Sequence, residues 1–397
     1  MCPVAPPATA MTGPASIELA DIVRAYGDTY RQTHPLALVQ QQALRAIATC
    51  RTAALGGHTQ TCDRCGAVRH AYNSCRNRHC PKCQGAAQAT WLAARQAERL
   101  PIPYFHVVFT LPHTLNALAQ GNPRVLYTAL FRAAAETLLT FGRDPRYLGG
   151  TIGVTAILHT WGQNLSQHLH LHCVVTGGAL TTDHEHWIAA QPSFLFPVRA
   201  LSPVFRAKYL DALRAAFERG ALTFAAGTAD LADPATFARF LAALRTEPWV
   251  VYAKPPFGGP AQVLAYLGRY THRVAISNAR LVDLRDGVAR FRWKDYADRD
   301  RVKVMTLTAD EFLRRFLLHV VPRGFMRIRH FGLLANRHRR SRLDRCRAVL
   351  AAPVTDGPAA SPATDVVHCP VCRVGVMHVT AVLTPVWLNA SPGPDTS

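Results

Sequence analysis

The sequence is poor in acidic residues and lacks any long apolar run. Among its 397 residues, 25 are Asp or Glu and 45 are Lys or Arg, so the formal net charge is +20 and the pI is near 10.0. Such a charge indicates a polyanionic partner, and nucleic acid is favoured over an anionic membrane because no basic amphipathic helix of the membrane-lying kind is seen. No apolar stretch reaches the ~20 residues of a transmembrane helix, so we expect no membrane span.

The first fourteen residues contain no Lys or Arg, and prolines interrupt their apolar positions. A secretory signal peptide needs a basic start and a continuous apolar segment, so none is expected here. We expect a cytoplasmic, nucleoid-associated protein. In that compartment the eleven cysteines should be thiols or metal ligands rather than disulfides.

Composition divides the chain into segments. Residues 1–15 are expected to be disordered, 16–98 to form a helical and zinc-binding domain that contacts DNA, and 99–347 to form a mixed domain with a helical insertion near 201–247. Residues 348–397, rich in Pro, Ala, Ser and Thr, are expected to be a flexible tail. Strand-like runs alternate with helix-like stretches, and Asp286-Gly287 suits a hairpin turn. The pattern predicts an α+β fold with a central, largely antiparallel sheet flanked by helices.

Two Cys-x-x-Cys pairs lie in a segment, residues 56–90, that is short of large apolar side chains. Fourteen residues separate the pairs. Each pair can hold a metal ion from a tight turn, and two pairs can close a zinc ribbon that needs no hydrophobic core. The pattern predicts one zinc site with the ligands Cys62, Cys65, Cys80 and Cys83.

The loop between these pairs offers alternative ligands and positive charge. Cys75 and His79 fall in this loop, and either could replace one of the four cysteines. Arg76, Arg78 and Lys82 lie beside the site. A basic zinc ribbon typically contacts nucleic acid, and a purely structural zinc ion is the alternative.

A third Cys-x-x-Cys pair lies in the tail, at Cys369 and Cys372, with two histidines nearby. One such pair is weak evidence for a metal site. We interpret it either as half of a zinc knuckle or as a pair without a metal role.

Three histidines alternate with leucine at positions 168, 170 and 172. Alternate residues of a strand share a face and lie ~6.7 Å apart, so His168 and His172 are ~13 Å apart at Cα. An imidazole reaches a metal ion from roughly 6 Å, so neighbouring histidines can share an ion and the outer two hardly can. The spacing predicts one adjacent pair plus a ligand from elsewhere. Imidazole suits manganese, zinc, iron and nickel better than magnesium.

Two tyrosines, Tyr266 and Tyr270, are four residues apart in a stretch with helical character, so they share a face. Packing alone could explain such a pair. Arg269 and Arg273 favour a chemical role, because both can reach a phosphate held near the hydroxyls. A tyrosine that attacks a phosphodiester forms a phosphotyrosine and frees a 3′ hydroxyl, so both tyrosines are candidate nucleophiles.

The stretch from residue 269 to 347 carries 21 Lys and Arg against 8 Asp and Glu, a net charge of +13 out of +20. Phe325 and Phe331 lie among the arginines, and this combination favours a track for a single strand, with arginine on phosphate and rings on bases. The candidate DNA-binding residues of this stretch are Arg269, Arg273, Arg327, Arg329, Arg337, Arg339 and Arg340.

These features resemble the Insertion Sequence 91 family of two-tyrosine HUH transposases, which move DNA by rolling-circle transposition. The resemblance extends from about residue 36 to 345. The segments that carry it are 74–84, 105–112, 159–163, 168–172 with the glycines at 177 and 178, 266–278 and 312–334.

The resemblance implies an N-terminal zinc-binding domain and an HUH nuclease domain. It implies that His170 and His172 hold a catalytic magnesium or manganese ion. The family usually has proline where this chain has Leu169, and leucine permits the strand to continue. His168 is therefore only a further candidate ligand.

The resemblance also implies that Tyr266 and Tyr270 are the nucleophiles. The expected activity is nicking and rejoining of single-stranded DNA at insertion-sequence ends through a 5′-phosphotyrosine intermediate. A plasmid relaxase or a rolling-circle replication initiator, which uses similar chemistry, is the alternative enzyme. A zinc-containing DNA-binding regulator without catalysis is the alternative of another class.

Overall fold

The computed structural model of the chain describes residues 17–254, 268, 274–351 and 367–386. Its helices are α1 Leu19–Thr33, α2 Leu38–Thr49, α3 Pro81–Ala97, α4 Asn116–Gly121, α5 Pro123–Arg143, α6 Val198–Glu218, α7 Pro234–Thr246, α8 Ala309–Leu317 and α9 Arg339–Val349. Its strands are β1 Gly57–Cys62, β2 Val68–Tyr72, β3 Tyr104–Thr110, β4 Gly153–Trp161, β5 Gln167–Thr176, β6 Gly178–Leu180, β7 Trp187–Ala189, β8 Val251–Lys254, β9 Leu281–Arg285, β10 Val288–Asp295, β11 Arg301–Thr308, β12 Ile328–Gly332 and β13 Met377–Leu383.

A five-stranded sheet with the order β12-β4-β5-β3-β8 forms the centre of the fold, and every neighbouring pair is antiparallel. The prediction of an α+β fold with a central antiparallel sheet is confirmed. β4 and β5 form a hairpin, closed by a hydrogen bond from the Gly162 N–H to the Ser166 carbonyl. This hairpin places the histidine triplet in the middle of the sheet.

One face of this sheet packs against α5 and α6. On β5 this face carries Leu169, Leu171 and Cys173, which are buried among the aromatic rings of Phe131 and Phe205. Alternation along the strand sends the three histidines to the opposite face. The burial of the aliphatic face therefore fixes the direction in which the histidines point.

A second core lies between α1, α2 and α8 and the sheet β9-β10-β11. Leu19 and Ile22 of α1 are buried there with Phe312 and Phe316 of α8. The N-terminal helices thus share a core with residues beyond 270, and packing crosses the boundary expected near residue 98. The β9–β10 hairpin turns at Asp286-Gly287, where both residues have positive φ, 49° and 76°, as its sequence predicts.

A third sheet has the order β13-β1-β2, so a strand of the tail pairs with the N-terminal part of the chain. This corrects the expectation of a flexible tail for residues 367–386. Residues 1–15, expected to be disordered, lie outside the described residues, as do 352–366 and 387–397. Within the described ranges, no helix has the length and apolar character needed to cross a bilayer.

Candidate functional site

Three imidazoles converge on the face of the central sheet that lies opposite the aliphatic core. His170 stands directly across from His159 of β4, and His172 follows on the same face of β5. One ring nitrogen of each of the three histidines lies within 4.8 Å of the others, and the Nε2 atoms of His170 and His172 are 3.1 Å apart. This arrangement is an adjacent pair plus one residue from elsewhere, as the strand spacing predicts.

The other ring nitrogens of the pair are engaged by the protein. His170 Nδ1 lies 2.8 Å from the His168 carbonyl oxygen, and His172 Nδ1 lies 2.8 Å from Nε2 of His106 on β3. A hydrogen bond at Nδ1 fixes the tautomer and the ring orientation of a ligating histidine. Both side chains are therefore held with Nε2 directed at the shared site.

Burial keeps these imidazoles uncharged. It lowers the pKa of His170 to about 3 and the pKa of His172 well below its ordinary value, with neighbouring histidines as a smaller cause. Burial also lowers the pKa of His106 to about 4. At neutral pH the Nε2 lone pairs of His170 and His172 are therefore available. Together with a ring nitrogen of His159 they fit a divalent ion of the kind that accepts nitrogen ligands.

The outer histidine of the triplet, His168, is not one of the three converging residues. Its ring lies 5.3 Å from that of His113, centroid to centroid, and its carbonyl oxygen holds His170. The sequence pattern does not by itself assign a role to His159. Its position follows from the centre of the hairpin: a turn centred between residues 164 and 165 places residue 159 opposite residue 170.

The candidate nucleophiles Tyr266 and Tyr270, with Arg269 and Arg273, lie outside the described residues. Gly268, between the two tyrosines, is described and buried; a Cβ atom built there would lie 3.4 Å from Cδ1 of Leu92 on α3. The strand that precedes this segment, β8, is the neighbour of β3 in the central sheet. By register, its residues Tyr252 and Lys254 lie on the histidine face.

The structure does not bring the two predicted zinc-binding pairs together in one site. The pair Cys80 and Cys83 joins Cys75 and Cys50, and the four thiols lie within 4.8 Å of one another. We call this set the inner cysteine group. Cys83 Sγ lies 3.5 Å from the sulfurs of both Cys50 and Cys75. Tetrahedral Zn–S bonds of about 2.3 Å require sulfurs about 3.8 Å apart, so these donors fit zinc.

The other predicted pair, Cys62 and Cys65, joins the tail pair instead. The four thiols of Cys62, Cys65, Cys369 and Cys372 also lie within 4.8 Å of one another, and we call them the outer cysteine group. The physical reason is the pairing of β1 with β13, which places Cys62 opposite Met377. His79 belongs to neither group, because its Nε2 accepts the Val321 N–H.

The structure gives several predicted DNA-binding residues protein partners. Lys82 forms an ion pair of 2.5 Å with Glu18, and the guanidinium of Arg329 lies over the rings of Phe131 and Phe325. Arg337 and Arg340 are exposed. Arg339 likewise forms an ion pair of 3.1 Å with Glu98. The exposed Arg337 and Arg340 are therefore better placed to meet a polyanion than Lys82, Arg329 or Arg339.

A cavity of about 430 Å³ lies between the zinc-binding segment and β12. Burial, and secondarily the charge of Arg78, lowers the pKa of Arg327 to about 10 at this site. Among the residues that the structure describes, no acidic side chain lines the cavity. Its basic and aromatic side chains are Arg76, Arg78, Trp91, Arg95, Arg327, His330 and Arg339.

The cavity lies on the same face of the central sheet as the histidines. Ile328 of its wall stands opposite Ile157, which in turn stands opposite His172. Neighbouring strands are about 4.8 Å apart, so the wall of the cavity lies roughly 10 Å from the histidine row. The basic cavity and the histidine face can therefore contact one continuous ligand.

Known proteins match both halves of the chain. A family model described as "Transposase zinc-binding domain" matches residues 22–111, and one described as "Putative transposase" matches residues 153–342. "Putative transposase y4qJ" of Sinorhizobium fredii is 56% identical over 346 residues, which are 87% of this chain and 86% of the relative. The chain belongs to the Insertion Sequence 91 family of transposases.

A second relative of this transposase is more distant. The "Transposase for insertion sequence element IS801" of Pseudomonas savastanoi pv. phaseolicola is 31% identical over 303 residues, 75% of this chain and 71% of the relative. Among solved structures, the conjugative relaxase TrwC in complex with oriT DNA shares 14% identity. It covers 60% of this chain and 96% of its own at a TM-score of 0.24, which is too low to support an inference.

The two family matches cover different candidate sites of the transposase. The zinc-binding match contains the whole inner cysteine group but only Cys62 and Cys65 of the outer group. The second match contains the three converging histidines and the segment with both tyrosines. The tail pair, Cys369 and Cys372, lies beyond both matches.

Proposed function

We propose that this transposase nicks and rejoins single-stranded DNA at the ends of its insertion sequence through a 5′-phosphotyrosine intermediate, as an HUH nuclease. The observation that carries the proposal is the convergence of His159, His170 and His172 on one face of the sheet. One ring nitrogen of each fits a divalent ion, for which imidazole favours manganese over magnesium. Such an ion, when bound, would polarise the scissile phosphate and stabilise the charge that develops on it.

The protein's own side chains supply the nucleophile and hold the phosphate in place. The oxygen of Tyr266 or Tyr270 forms a bond to phosphorus while the bond from phosphorus to the 3′ oxygen breaks. The 3′ oxygen leaves and takes up a proton, so the tyrosine loses one proton and the leaving strand gains one. Arg269 and Arg273 hold the phosphate oxygens during this exchange. A second tyrosine permits a second strand transfer in the same site.

The basic cavity is proposed to hold the single strand next to the scissile phosphate. Arg327 is buried and Arg78 is half-buried beside it, and a phosphate between them would offset both desolvation and mutual repulsion. Trp91 offers a ring for a base to stack on. Gly268, which separates the two tyrosines, lies against α3, the helix that contributes Trp91 to the cavity. This contact of Gly268 is the support for assigning the cavity and the tyrosines to one proposed site.

We also propose that the inner cysteine group binds the structural zinc of the N-terminal segment. It lies within the second core, where Cys50 and Cys80 are buried among side chains of α1 and α8. Metal bound there would stabilise the helix α3 that lines the basic cavity.

The decisive test is covalent capture of DNA. The purified protein is incubated with Mn²⁺ and a labelled oligonucleotide that carries an element end, and the adduct is separated under denaturing conditions and mapped by mass spectrometry. We expect an adduct on Tyr266 or Tyr270, and its loss in the variant with both Tyr266→Phe and Tyr270→Phe. Tyr147→Phe is the matched control, because that ring packs on the opposite face of the sheet. An adduct that persists without both tyrosines would contradict the proposal.

A further inference from the structure

We propose that the outer cysteine group, Cys62, Cys65, Cys369 and Cys372, binds a second structural zinc ion that fastens the tail to the N-terminal segment. This site goes beyond the proposed nuclease function. It joins one pair from within the zinc-binding match to one pair from beyond it.

The sulfur positions match a tetrahedral metal site. Cys62 Sγ lies 3.7 Å from Cys372 Sγ, and Cys65 Sγ lies 3.6 Å from Cys369 Sγ. Four sulfurs around zinc lie about 3.8 Å apart, whereas the sulfurs of a disulfide are bonded at about 2.05 Å. Both close contacts join one pair to the other, so the four thiols form one set.

Each pair lies in a turn that directs backbone N–H groups at sulfur. In the first pair, the N–H groups of Arg64 and Cys65 lie 3.4 Å and 3.5 Å from Cys62 Sγ. In the second, the Val371 N–H lies 3.4 Å from Cys369 Sγ and the Gly375 N–H lies 3.3 Å from Cys372 Sγ. Such donors stabilise the thiolate form that binds metal.

Contacts between the backbones hold the two turns together. Asp63 donates its N–H to the Val376 carbonyl at 3.1 Å, and its Oδ1 accepts the Val376 N–H at 2.8 Å. At Gly375, a Cβ atom would lie 2.4 Å from Cys62 Sγ and 2.7 Å from Asp63 Oδ1. Only glycine permits this close approach, so glycine at position 375 allows the tail to pack against the turn at Cys62 and Asp63.

The hydrophobic core of this module is too small to hold the tail by itself. Within the described part of the chain, its buried members are Cys62, Cys369 and Met377, and the side chains that pack against them are Ala67 and Cys372. Most of these side chains are cysteines. A module of this size normally needs a metal or disulfides for stability, and a metal supplies its binding free energy as folding free energy.

The test counts zinc ions in the full-length protein by native mass spectrometry. His170→Ala/His172→Ala is used as the background, so that the histidine site does not contribute zinc. We expect two zinc ions in this background and one after Cys369→Ser/Cys372→Ser. Cys75→Ser/Cys83→Ser should remove the other ion. Val371→Ser, which alters an exposed residue of the same turn, is the matched control and should keep both.

Limited proteolysis provides a second measurement, which reports whether the tail is held in place. Trypsin should cut after the exposed Arg373 at least tenfold faster in Cys369→Ser/Cys372→Ser than in the background, and chelation of the background protein should produce the same increase. Gly375→Ala, which keeps all four thiols, should lower zinc occupancy of this site by the clash with Cys62. A background protein with a single zinc ion, or a tail variant that still holds two, would overturn the proposal.

Discussion

The two faces of the central sheet differ in chemical character, although the same strands build them: one face is aliphatic, and the other carries the histidines of the proposed metal site. On β5, Leu169, Leu171 and Cys173 are buried in the aliphatic core, and the histidines between them line the opposite face. Because side chains alternate, a single strand can contribute to stability with one set of residues and to chemistry with the other. The comparison implies that the two properties can be altered separately.

The largest effect is expected from His172→Ala. It removes one of the three converging nitrogens and the partner of His106. Loss of metal assistance of about 4 kcal/mol corresponds to an adduct-formation rate about 1000-fold lower. Single-turnover adduct formation measures this effect, and urea unfolding should show a smaller stability change than that of Leu171→Ala. A variant that keeps the wild-type rate would remove His172 from the site.

Leu171→Ala should produce the converse result on the same strand. The side chain is fully buried, and its truncation leaves a cavity, so we expect a destabilisation of about 2–5 kcal/mol. Well below the unfolding temperature, adduct formation should stay within about threefold of wild type, a change under about 1 kcal/mol. Urea unfolding and adduct formation are measured together, with Val250→Ala, an exposed position, as the control. A rate loss as large as that of His172→Ala would show that the two faces are not separable.

His106→Ala should affect metal binding rather than the chemistry at saturating metal. His106 contacts His172 at Nδ1, and loss of such a partner weakens metal affinity by about 10- to 100-fold. Titration with Mn²⁺ should show a higher midpoint and a maximal rate near that of wild type. His106→Gln retains a polar partner and should recover part of the affinity. If excess metal does not restore the rate, His106 has a role beyond positioning.

The smallest effect is expected away from both faces. The Thr308 hydroxyl caps α8 by accepting the Glu311 N–H at 3.2 Å. Thr308→Ala should cost about 1 kcal/mol of unfolding free energy and leave manganese affinity unchanged. Thr306→Ala, an exposed position on the same strand, is the matched control. A change in metal affinity would mean that the second core and the histidine face are coupled.

Local sequence patterns are sufficient to predict much of the fold. Alternation predicted the strand with the histidines, and Asp286-Gly287 predicted the β9–β10 hairpin, because both signals depend on neighbours in sequence. The position of His159 could not be predicted from neighbours in sequence, because its place beside His170 depends on the register of two strands. That register follows from where the hairpin turns, which the residue pattern alone had not fixed.

The cysteine ligands could not be paired from spacing. Every Cys-x-x-Cys pair offers the same two thiols, so sequence separation favours the nearest pair as partner. In the structure Cys62 meets Cys372, 310 residues away, because β1 accepts β13 at its edge. Cys50 lies at the end of α2 and was not considered as a ligand, because no second cysteine stands near it in sequence.

The position of β1 between β2 and β13 has a consequence for biosynthesis. Its partner β2 emerges from the ribosome almost at once, whereas Cys369 follows Cys65 by 304 residues. At about 5–20 residues per second, that separation is about 15–60 s of translation, during which one edge of β1 has no strand to pair with. A chain cut short before residue 369 keeps that edge open. Incomplete translation products should therefore be distinguishable from the finished transposase by their tendency to aggregate.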